Sequence, residues 1–262
     1  MAGLTGKTIS SSYKSLLRVE DNSNGVDSSL TTVSDGEGTS SSLLISDNAS
    51  QVKPSLANND AIFSVKDFGG SYLLRADASN SVVKANVGQD IINTQYATFH
   101  MNSAWWSGAA DDTHTALAFG ANQTSAIVGF GTGTDPATSF TTAEGSGTRS
   151  GELVPCLWYI TDNIAIDSIV SIEGADAATG DTTRMHLFQY TFSSGGTSAL
   201  TSGSLVAHNT DVTNAGSEQA YKSTWTIDSS DVDAGKVVMA FLKSDSINSD
   251  YSANIYIKYH LR

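Results

Sequence analysis

The chain has 262 residues, 39% of them apolar and only 16% charged, with a net charge of −13 and a single cysteine. That charge leaves no basic stripe to displace counterions from phosphates, which disfavours nucleic acid and anionic membrane surfaces as partners. Cys156 has no possible intrachain disulfide partner, and a cysteine-based zinc site is excluded.

The opening MAGLTGKTISSSYKSLLRV holds no long apolar run, so no signal peptide is expected. No window approaches the roughly 20 apolar residues of a membrane span. These features predict a soluble product synthesised in a cytoplasm. The acidity is uneven: residues 1–95 carry 7 basic and 10 acidic side chains, and residues 96–262 carry 7 and 17.

Helical periodicity is absent, and short apolar or alternating runs bounded by Gly, Asn, Asp and Ser recur throughout, the pattern of an all-β protein. LLRVEDNSNGVDSSLTTV predicts two strands around a tight turn at Asn24-Gly25, and SDGEGTSSSLLISD a second hairpin around Asp35-Gly36. KPSLANND reads as a loop, since Pro54 bars a central strand. FSVKDFGGSYLLRADASNSVVKAN then predicts three strands joined by two turns.

Few residues of 1–95 are large and apolar, and burying one Leu or Phe contributes only about 1.5–3 kcal/mol. Ordering each residue costs on the order of 1–2 kcal/mol in backbone entropy. Such a segment is expected to complete its core with other copies of the chain, through Phe63, Val65, Leu73 and Leu74. The expected organisation is an attachment segment and start of a stem over residues 1–46, a hairpin stem over 47–95, and a β-sandwich head over 96–262.

In that last part the candidate strands are YATFHM, TALAFGA, AIVGFG, LVPCLWYI, AIDSIVSIEG, RMHLFQYTF, KSTWTI, KVVMAFLK and ANIYIKYHL. KVVMAFLK and LVPCLWYI are apolar on both faces, as befits central strands. ANIYIKYHL alternates, with Ile255, Ile257, Tyr259 and Leu261 on one side. About eight or nine strands with turns between them suit an antiparallel, jelly-roll-like sandwich. Ser229–Ala234 is expected to form at most a short helical turn.

Chemistry is sparse. Cys156 lies within an apolar run and reads as a small buried hydrophobe. No G-x-S-x-G elbow sits in a strand-to-helix setting. Asp111-Asp112 and the acids of GADAATGDTT lack the spacing of a calcium loop. GFGTGTDP has glycines but no following helix to face a phosphate, so it reads as a turn. The five histidines show no metal-ligand spacing; His186 shares a face with Phe188 and Tyr190, where packing is the default. No catalytic, metal or cofactor residue is expected. Trp105-Trp106 stands apart, because adjacent strand residues point oppositely and both rings cannot enter one core. An exposed ring there would suit a subunit contact or stacking on a sugar.

The text of KTISSSYKSLLRVEDNSNGVDSSLTTVSDGEGTSSSLLIS, of FSVKDFGGSYLLRADASNSVVKAN, and of GFGTGTDPATS followed by LVPCLWYITDNIAIDSIVSIEGADAATGDTTRMHLFQY resembles virion structural proteins of marine tailed bacteriophages; KVVMAFLKSDSINSDYSANIYIKYHL does so too. The resemblance implies a fibre, spike or decoration component, trimeric, with a β-rich attachment stem and a β-sandwich head at the virion surface. It transfers no catalytic residue and implies no cofactor. The leading expectation is a tail-associated homotrimeric fibre that contacts other virion proteins through its N-terminal region. The alternatives are a capsid head fibre or decoration protein, and a carbohydrate-binding module that recognises host-surface glycans through Trp105 and Trp106. A glycan depolymerase is disfavoured, because the long repeated coils of a solenoid are missing.

Overall fold

The computed structural model describes residues 17–19, 25–54, 57–85, 90–102, 112–120, 129–140, 153–176, 180–196, 199–215, 219–245 and 250–262. The chain is all-β and antiparallel, and it divides into two compact units, Met1–Ile92 and Asn93–Arg262.

The first unit holds two four-stranded meanders. One is β1 (Arg18–Val19), β2 (Thr31–Ser34), β3 (Ser40–Ile45) and β4 (Ser50–Val52), hydrogen-bonded in that order. The other is β5 (Phe63–Lys66), β6 (Tyr72–Asp77), β7 (Val82–Ala85) and β8 (Asp90–Ile91). Because β4 pairs with β3, residues on both sides of position 46 belong to one sheet. Val19 pairs with Val33, and the tight turn expected at Asn24-Gly25 falls in the sequence between them. Asn24 itself lies outside the described residues. The three strands expected in FSVKDFGGSYLLRADASNSVVKAN are β5, β6 and β7.

The second unit is built on β9 (Thr94–Asn102), β10 (Thr115–Ala116), β11 (Ala118–Phe119), β12 (Trp158–Tyr159), β13 (Ile164–Asp176), β14 (Thr182–Phe192), β15 (Leu200–Asn209), β16 (Val212–Thr213), β17 (Gln219–Ile227), β18 (Asp231–Val232), β19 (Lys236–Ser244) and β20 (Asp250–Leu261). The sheet runs β10-β19-β14-β15-β17-β13-β20-β9-β11 and rolls over on itself. Its two ends meet in one short segment: Ala116 pairs with Phe241 of β19, and Ala118 with His100 of β9. TALAFGA is therefore two strands with a buried corner at Leu117, since the chain passes from one wall of the sandwich to the other.

The main core lies between the walls. Phe99, Ile164, Ile166, Ile255 and Ile257 on one side meet Met185, Leu187, Val206, Val238, Ala240 and Leu242 on the other. A second core covers the outside of the β19–β14 wall, where Val237, Met239, Phe241, Phe188 and Tyr190 pack under Phe130, Phe140, Leu153 and Cys156. Every side chain of VVMAFL is thus buried, alternately in the two cores. LVPCLWYI departs from the expected strand. Val154–Cys156 forms a 3-10 turn with Pro155 at its start, and only Trp158–Tyr159 pairs, with β19. Proline cannot donate to a ladder, and it suits the first turn of a helix. The helical turn expected at Ser229–Ala234 is replaced by β18, which pairs with Ile164 and Ala165.

Candidate functional site

Residues directly opposite in a ladder share a face of the sheet. Phe63 stands opposite Ala76, Val65 opposite Leu74, and Leu74 and Ala76 in turn opposite Ala85 and Val83. Phe63, Val65, Leu74, Ala76, Val83 and Ala85 therefore form one uncharged face across three strands. Phe63, Val65 and Val83 are 46, 43 and 43% exposed, whereas Leu74 is half-buried. Among the described residues of this unit, Val33 is the one apolar side chain that is fully buried. Among the described residues, the sheet thus carries an apolar face without a core beneath it.

The charges of β5, β6 and β7 lie on the other face. A bulge next to the β5–β6 turn sets Lys66 opposite Tyr72, and the Lys66 ammonium sits 4.2 Å from the Tyr72 ring centre, with the Arg75 guanidinium 5.1 Å from it. Arg75 reaches Asp60 at 3.3 Å, and Lys84 reaches the buried Asp77 at 3.2 Å. The Asn80 side chain and backbone, with Lys84, hold the Asp77 carboxyl down at about 2 against the opposing effect of burial.

Of the residues singled out from the sequence, Phe63, Val65 and Leu74 share the apolar face. Leu73, 47% exposed, lies on the opposite side with Arg75. Alternation alone puts neighbours 73 and 74 on opposite faces, so one pair cannot serve one core. Val83 belongs to the face and was legible from the VVKA run, whose partner strand only the register reveals. Phe68, at the tip of the β5–β6 turn, is fully exposed. Trp105 and Trp106 lie outside the described residues.

Two buried polar clusters of the sandwich, among its described residues, contain ionisable side chains with shifted pKa values. His114 and His186 are fully buried with ring centres 4.9 Å apart. His114 Nδ1 bonds the Gly131 carbonyl at 3.0 Å, while neither nitrogen of His186 makes a hydrogen bond; Asp135 Oδ1 lies 3.7 Å from its Nε2. Burial, followed by the neighbouring His114 and Arg184, lowers His186 to about 3, and burial lowers His114 as well. Glu173, on β13, accepts from Thr183 at 2.8 Å, Asn209 at 3.2 Å and Ser223 at 3.4 Å. Its burial pushes its carboxyl up to about 7 despite those bonds. Both clusters tie strands together. Cys156 is buried in the outer core. GFGTGTDP forms part of the lid over that core, its Gly129 bridged to Thr115 and Phe130 buried beneath.

Among the described residues, no group of three or more His, Cys, Asp or Glu side chains could hold a metal ion, and no helix is long and apolar enough to cross a membrane. Asp112 and Asp211, which border a polar recess, are paired with Lys243 and Arg184 at 3.4 Å each.

No family model and no curated protein matches the chain. Among solved structures it is similar to the Eiger TNF from S. frugiperda, at a TM-score of 0.27 and 10% identity, over 65% of this chain and 93% of that one. A likeness this distant bears on neither fold nor function.

Proposed function

We propose that this chain is a non-enzymatic structural protein of a phage virion, a homotrimeric tail-associated fibre whose first unit is the stem and whose sandwich is the solvent-facing head. The observation that carries the reading is the apolar face of Phe63, Val65, Leu74 and Val83 in a unit whose described residues include one fully buried apolar side chain. Hiding side chains of this size is worth about 1.5–3 kcal/mol each, so several copies meeting face to face would gain the core that a single copy lacks. Closed cyclic association suits such a face and also shields strand edges. The virion role and the number three rest on the resemblance of the sequence to phage structural proteins.

Sedimentation equilibrium of the intact protein tests the assembly. A trimer at micromolar concentration is expected, and a stable, folded monomer refutes it. Imaging virions with the labelled protein tests the location: label at the tail supports the reading, and label over the capsid overturns the tail assignment.

A further inference from the structure

Three strands of each meander correspond at a constant offset of 32 residues, β2, β3 and β4 to β5, β6 and β7: Thr31 to Phe63, Ser40 to Tyr72, Ser50 to Val82. The β3–β4 register repeats in β6–β7, with Leu43↔Val52, Leu44↔Gln51 and Ile45↔Ser50 answering to Arg75↔Lys84, Ala76↔Val83 and Asp77↔Val82. Next to the first turn, Ser34↔Ser40 answers to Lys66↔Tyr72, each beside a bulge.

The turns repeat too. The Gly38 amide donates to the Asp35 carbonyl at 3.1 Å, and the Gly70 amide to the Asp67 carbonyl at 3.1 Å. Oδ1 of each Asp accepts from the amide four residues on, Thr39 or Ser71, at 2.8 Å. Gly38 and Gly70 share a φ of 87°, a conformation that disfavours any side chain. Even the entry is shared: Asp27 Oδ1 accepts from Ser29 N at 2.7 Å, and Asn59 Oδ1 from Ala61 N at 2.8 Å. Little of this is sequence identity. What recurs at one spacing is a turn residue, a glycine and the register of the second ladder, the mark of a repeated structural module; the first ladder is shifted by one residue, with Thr31 opposite Ile45 but Phe63 opposite Ala76.

The modules differ in what they display. The slots of Leu74, Ala76 and Val83 are filled in the first module by Ser42, Leu44 and Gln51, with Thr32 opposite Leu44. We propose that residues 27–53 and 59–85 are two copies of one 32-residue module, and that the second is the one that binds further copies of this chain, the first being dispensable for association. This rests on the self-assembly proposed above. Charge argues for a second copy as occupant: each chain carries −13, so like chains can approach closely only across a face without charge. The second module provides one by confining Lys66, Arg75, Asp77 and Lys84 to its opposite side.

The test places one substitution in the same register slot of each module of the full chain. By sedimentation equilibrium, Val83→Lys is expected to raise the dissociation constant of the oligomer about tenfold or more, and Gln51→Lys less than about twofold. Equal effects, or no effect of V83K in an oligomeric wild type, overturn the assignment of the second module. A monomeric wild type instead removes the self-assembly on which it rests. Two deletions test the modules themselves. Removing residues 53–84 joins Val52 to Ala85, and removing 21–52 joins Glu20 to Lys53, so each leaves one module in frame. The first is expected to abolish association and the second to preserve it, with amide-exchange protection kept in the remaining module. Loss of protection in both deletion variants overturns the module.

Discussion

At the scale of single residues, the buried ionisable groups set a pH dependence with two opposed limbs. Glu173 is raised from the usual carboxylate range to about 7, chiefly by burial. Between roughly pH 4.5 and 7 the folded state therefore holds a proton that the unfolded state has released, and its contribution to stability falls as pH rises through that window. Glu173→Gln removes the charge, keeps an acceptor oxygen for Asn209 and Ser223, and turns its amino group towards the Thr183 hydroxyl, which can accept from it. The stability of E173Q relative to wild type, from urea titrations, is expected to climb between pH 4.5 and 7, by up to on the order of 3 kcal/mol, and to level off above. A difference that does not vary with pH would contradict the assignment of that shift to Glu173. His186 acts in the other direction. Held neutral by burial down to about 3, it refuses a proton that the unfolded chain takes up near pH 6.5. Stability is lost as pH falls from 6.5 towards 3. His186→Gln is expected to lessen that acid loss and to leave the behaviour above pH 7 unchanged.

At the scale of elements, β15 and the D-x-x-G turns show how small residues place strands. LTSGSLVAHN is rich in Ser, Thr and Gly and was not among the expected strands, yet it pairs along most of its length with β14. Gly203 explains part of that composition: a Cβ there would stand 2.5 Å from Cε1 of the buried Tyr190 and 2.9 Å from the Thr138 backbone. Tyr190 also donates to the Ala137 carbonyl at 2.9 Å, so it has little freedom to yield. Gly203→Ala is expected to cost about 1–3 kcal/mol in urea or thermal unfolding. An unchanged midpoint would mean the outer core repacks freely. Gly70→Ala tests the turn: at φ 87° with open space around it, only backbone strain opposes the methyl group. A loss of about 1–2 kcal/mol is expected, read from the amide exchange of β5 and β6.

For the whole molecule, the balance between an uncharged contact face and a net charge of −13 decides how assembly responds to salt. If the copies meet across Phe63, Val65, Leu74 and Val83, the electrostatic part of association is repulsion between like-charged chains. Raising the ionic strength from about 0.05 to 0.5 M shortens the screening length to a few ångströms and is expected to tighten the oligomer. Weakening by salt would point instead to charge pairs across the contact. The sandwich stands on its own cores, so substitutions on the Phe63 face of the first unit are expected to leave its unfolding midpoint unchanged.

Local rules carry far in this chain because most of its strands obey period two. The all-β class, the three strands of Phe63–Ala85 and the inward side of β20, with Ile255 and Ile257 fully buried, follow from alternation alone. Both faces of β19 are buried, as its unbroken apolar run implies. Register and tertiary cover decided the rest. Composition gives Leu73 and Leu74 equal claims on a core, and only the ladder puts Leu74 with Phe63 and Leu73 with Arg75. Leu153–Cys156 has the apolarity of a strand, yet it turns, because proline leaves the ladder and the outer core needs a cover. The 32-residue module escaped the sequence because its two copies share turn geometry and the register of the second ladder, which a few Asp, Asn and Gly positions specify, whereas the strand residues between them are free to differ. Alternation says which side chains share a face; the pairing of distant strands decides what that face meets.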